Sequence, residues 1–187
     1  QCRMHGLDEG DRHLVADSLH RLEVLDEPAI EVALATVEDT KYAHQFRSHA
    51  TTLHTAANDD TMLLMSMGLA AESVSDLPTA QQCWDRAIRV ARTSGAPSIE
   101  CEALRGSARA QIISGRLPEA AMSAQTALRI ATDCDMSLSM GSAAALLARA
   151  HAWRGRSADA QSALAIARQH IPVDTSLLWI DDLAWAS

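Results

Sequence analysis

The side chains in this sequence best suited to chemistry are arginines at recurring spacings. Arg105 and Arg109 are four residues apart, so on a helix they stand one turn apart on one face. Arg149 lies forty residues beyond Arg109. A guanidinium is a permanent cation with a planar fork of donors, which suits a carboxylate or a phosphate. Such a set would hold an anion rather than transform it. The alternative is that these arginines pair with acids such as Glu72 and Glu102 and solvate the surface.

Other chemistries find less support. His44, His49 and His54 step by five residues, which turns each about 140° around a helix from the last. His13 and His20, seven apart, can share a face, yet neither set has the H-x-x-x-H spacing of a zinc site. The sequence contains no G-x-S-x-G and no Gly-rich phosphate loop. Asp181 and Asp182 occupy adjacent helical positions and cannot converge on one substrate. No catalytic residue, metal ligand or cofactor is therefore expected, and an enzyme is not the reading.

The elements that would position the arginines follow from composition. Of 187 residues, 48% are hydrophobic but only 3% aromatic. The apolar content is mostly Ala and Leu, which are strong helix formers, and β-branched residues are scarce. An all-α fold is expected. The net charge is −8, concentrated in residues 1–60 (net −7) against −1 over residues 61–187. That acidity argues against direct nucleic-acid contact. Lys41 is the only lysine, so a polybasic membrane patch is excluded, and no apolar run reaches the ~18 residues of a membrane span. The first residues lack both an initiator Met and the apolar stretch of a signal peptide, as expected of a fragment of a longer cytoplasmic protein. Cys2, Cys83, Cys101 and Cys134 form no C-x-x-C pair and are expected as free thiols.

Internal repetition is the strongest signal. At a shift of 40 residues Ala80, Ala120 and Ala160 align, as do Ala87, Ala127 and Ala167, and Trp84, Ala124 and Leu164. Ser75, Gly115 and Gly155 align upstream as turns, and the two glycines can supply the positive φ that ends a helix. Pro78 and Pro118 stand where a following helix begins. In the second helix of a unit Ala120, Ala124, Ala127, Leu128 and Ala131 form one apolar face. The first helices are expected near 61–74, 98–114 and 137–153. A terminal helix is expected near 175–186; left uncapped, it would expose Leu178, Trp179 or Trp185. Residues 1–60 are less regular, with stripes at Val15, Leu19 and Leu22, at Ile30, Ala33, Leu34 and Val37, and at Tyr42, Phe46, Ala50, Leu53 and Ala57. At a shift of 37, Ala43 and Ala50 match Ala80 and Ala87, as a degenerate repeat would. The organisation read here is N-terminal helices over 1–60 and one continuous repeat array over 61–187.

A turn Gly followed by Ala five and twelve residues on resembles the tetratricopeptide repeat. The 40-residue period is similar to the longer variant in large bacterial transcription regulators, the maltose-regulator-like and LuxR-type ATPases and their actinobacterial relatives. The run AALLARAHAWRGRSADAQSALAIARQ carries the likeness most strongly, while Ala108 and Gln111 stand where the family has aromatic residues. The Arg- and Ala-rich composition is that of a GC-rich bacterial genome. The resemblance implies an α-solenoid whose first helices line a concave groove for a protein, a peptide or a small effector. It places Met65, Leu69, Arg105, Arg109, Arg149 and Trp153 toward that groove, and it lacks the Asn of the chaperone-tail-binding members. The function implied is the sensor or interaction domain of a bacterial transcription regulator, with a free-standing adaptor as the alternative. Self-association through an end of the array would also fit.

Overall fold

The computed structural model describes residues 59–171, which form six α-helices and no strand. They are α1 (Thr61–Ser73), α2 (Leu77–Thr93), α3 (Pro97–Ile113), α4 (Leu117–Asp133), α5 (Ser137–Trp153) and α6 (Ser157–His170). The described region is thus all-α. The stripes read in residues 1–58, the helix near 175–186 and the histidines before His151 lie outside it.

One device ends each of the first five helices and starts the next. Ser75, Gly95, Gly115, Asp135 and Gly155, twenty residues apart in turn, have φ between 54° and 74°. At Gly115 the amide donates to Ile112 O at 3.0 Å, and the Arg116 amide reaches back to Gln111 O at 2.8 Å. This crossed pair satisfies two carbonyls that the helix end would otherwise leave open. Arg116 O then accepts the first bond of α4, from Ala120 N at 3.0 Å. The same pattern recurs around Ser75, Gly95, Asp135 and Gly155. From α3 to α6 the helices joined by such three-residue links pack side by side.

The chain divides after Ala87 into two compact units. In the first, Asp60 caps α1 by accepting from Leu63 N at 3.0 Å. Asp76 does the same for α2 through Thr79 N at 3.3 Å. Trp84 is the largest fully enclosed side chain among the described residues, and its indole N–H donates to Glu72 Oε1 at 2.7 Å. The ring lies over Gly68, where an added Cβ would stand 2.7 Å from Cε2. Glycine is what lets α1 and α2 approach this closely.

In the second unit α3 packs on α4, α4 on α5 and α5 on α6, and α3 also touches α5. The core is largely alanine: Ala120, Ala124, Ala127 and Ala131 from α4 meet Leu104, Ala108 and Ile112 from α3 and Ala144 and Leu147 from α5. Residues 140–148 of α5 are all buried, because this helix has neighbours around it. Gln111 bridges α3 to α4, donating to Ser107 Oγ at 3.1 Å and accepting from Ser123 Oγ at 3.0 Å.

Candidate functional site

The contact of α3 with α5 is built around one carboxylate. Glu102 on α3 accepts from Ser139 Oγ on α5 at 3.1 Å, and from Arg105 Nη1 through Oε2 at 2.6 Å. Arg105 is only 4% exposed. Burial pulls its guanidinium below the ordinary arginine range, Glu102 opposes that, and the nearby charge of Arg109 adds to it. The fork of Arg105 therefore meets an acid of its own helix. The pairing with Glu102 is the one the alternative reading names, but the side chain is buried and does not solvate the surface.

Further along this face the arrangement is different. Arg109 and Arg149 are half-buried. The Arg149 guanidinium carbon lies 4.9 Å from the ring centroid of Trp153, one turn on, and that tryptophan is 46% exposed. The ring face fixes the orientation of the guanidinium over it. Met65 and Leu69 are on α1 in the first unit, Met65 half-buried and Leu69 47% exposed. The structure thus joins Arg149 to Trp153 and Arg105 to Glu102. Two partners were not singled out for the junction from sequence: Ser139, and Glu102 as the hub between helices. The spacing of Glu102 three residues before Arg105 was the available signal.

The thiols of Cys83, Cys101 and Cys134 are free. Burial pushes Cys83 up to about 12 and Cys101 up to about 11, so neither is a nucleophile at neutral pH. Cys101 instead hydrogen-bonds Ala127 O at 3.4 Å, tying α3 to α4. Cys2 lies outside the described residues. Among the described residues no three of His, Cys, Asp and Glu cluster as metal ligands, and no helix is long and apolar enough to cross a membrane.

What the geometry defines over α3–α6 is four consecutively packed helices, with Arg149 set against Trp153 on α5. No protein-family model, curated protein or solved structure matches the chain.

Proposed function

We propose that this chain is a binding domain of a bacterial transcription regulator, a tetratricopeptide-like array with a period near 40 residues. Its α3–α5 face holds an acidic peptide, protein segment or small effector. The observation that carries this reading is the direct contact of α3 with α5, with Arg109 and Arg149 at equivalent repeat positions and Trp153 under Arg149. Leu69 has the matching register on α1, and Met65 precedes it by one turn. The cytoplasm is the compartment that fits such a regulator.

The test is a thermal-shift screen of organic acids, sugars, nucleotides and acidic peptides against wild type and Arg109→Ala/Arg149→Ala. A ligand that binds only the folded state raises the melting temperature by mass action. A compound that stabilises wild type but not the double variant supports the site. Hits that stabilise both equally move binding elsewhere. A DNA-binding helix-turn-helix or a P-loop in the same polypeptide would distinguish a regulator from a free-standing adaptor.

A further inference from the structure

A shallow, open pocket of about 570 Å³ lies along α4, the end of α5 and the link that follows it, and neither Arg109 nor Arg149 lines it. Its apolar wall includes Leu147 and Met122, a methionine 64% exposed to water. Its polar side carries Gln125, His151, Arg154 and Arg156, and no carboxylate lines it. Arg156 is shared with Asp159 at 2.7 Å, both being half exposed. Arg154 makes no ion pair among the described residues. The Nδ1 of His151 is shielded from solvent and has no hydrogen-bond partner there.

Two guanidiniums and an imidazole stand here beside an exposed thioether with no carboxylate among the lining residues. Solvated arginines alone would not need the apolar wall, and an apolar docking surface would not need the cations. A ligand with a carboxylate at one end and an aliphatic body satisfies both. We propose that this pocket binds a small organic acid of that kind, its carboxylate toward Arg154 and Arg156 and its aliphatic part along Met122 and Leu147. The carboxylate could belong to a free acid or to the C-terminus of a peptide. This site is separate from the α3–α5 face and stands whether or not that face binds anything.

The experiment titrates the full chain, followed by NMR of the His151 ring and the Met122 methyl. The probes are hexanoate, hexanol, a short peptide ending in leucine and the same peptide amidated. Saturable shifts at both residues with hexanoate, and much weaker ones with hexanol, are expected. Arg154→Gln and Arg156→Gln should each weaken hexanoate about tenfold, as loss of one charge-assisted contact does. Met122→Ser should weaken it as well, through loss of the apolar wall. Tighter binding of the free peptide than of hexanoate, lost on amidation, assigns a peptide C-terminus; the reverse order assigns a free acid. All three changed side chains are solvent-facing, so thermal melts should stay at wild type. Equal binding of hexanoate and hexanol, no saturable shift at His151, or full binding in the folded Arg154→Gln/Arg156→Gln variant would each overturn the proposal.

Discussion

Replacing Gly68 by alanine sets two opposed effects against each other. Within a helix, Gly→Ala on its own stabilises by about 1 kcal/mol through backbone entropy. Here the new Cβ would meet the Trp84 indole at 2.7, 2.8 and 3.0 Å, closer than real Cβ atoms approach their neighbours. The ring cannot easily give way, being 2% exposed and held by its bond to Glu72 at 2.7 Å. Overpacking of this kind costs ~1–3 kcal/mol, and losing the bond to a charged acceptor adds ~1.5–3 kcal/mol, so the steric side wins by about 1.5–5 kcal/mol. Urea and thermal unfolding of the full chain by circular dichroism should show a lowered midpoint. Trp84→Phe frees room, so Gly68→Ala should cost less in that background, a coupling a double-mutant cycle reads directly. A midpoint at or above wild type for Gly68→Ala alone would mean that α1 and α2 do not approach as described.

Other expectations follow from the same structure. Ala120 is fully buried between helices, and Ala120→Leu should destabilise by ~1–3 kcal/mol by overpacking; an unchanged melting temperature would remove α4 from its place in the core. All four cysteines should react with a thiol reagent after denaturation without prior reduction, and recovery of two or none would reveal a disulfide. Burial, with Arg156 and Arg154 adding and Asp159 opposing, holds the His151 imidazole below its ordinary 6.5. The folded state then takes up a proton less readily than the unfolded one, so the stability this group contributes is full above 6.5 and is lost as pH falls below it. His151→Gln should flatten that part of the pH–stability curve, and an NMR midpoint for His151 at or above 6.5 would contradict the assignment.

Much of the described fold was legible in the residues. The alanine stripe at Ala120, Ala124 and Ala127 marked a buried face because only a small side chain fits where helices touch. Gly115 and Gly155 marked turns because positive φ costs glycine nothing. First helices expected at 61–74, 98–114 and 137–153 fall within a residue of Thr61–Ser73, Pro97–Ile113 and Ser137–Trp153. The twenty-residue rhythm of the turns was less visible, because Ser75 and Asp135 adopt a conformation that side-chain-bearing residues rarely take. Charge placement was the harder matter. Spacing puts Arg105 and Arg109 on one face but does not say that the first is buried and the second only half so. The pocket at His151 was illegible for a related reason: it gathers residues from the start of α4 and the end of α5, which no local pattern joins.

The most direct measurement for a binding role of the α3–α5 face is calorimetric titration of the ligand that emerges from the thermal-shift screen. It is added to wild type and to Arg109→Ala/Arg149→Ala, with thermal melts of both proteins alongside. Two charge-assisted contacts at ~1.5–3 kcal/mol each correspond to a loss of ~100-fold or more in affinity. The expected result is that loss with melting unchanged, since both side chains are only half-buried. Undiminished affinity in a fully folded double variant would contradict the assignment of this face, and a collapsed fold would show that the two arginines hold the structure instead.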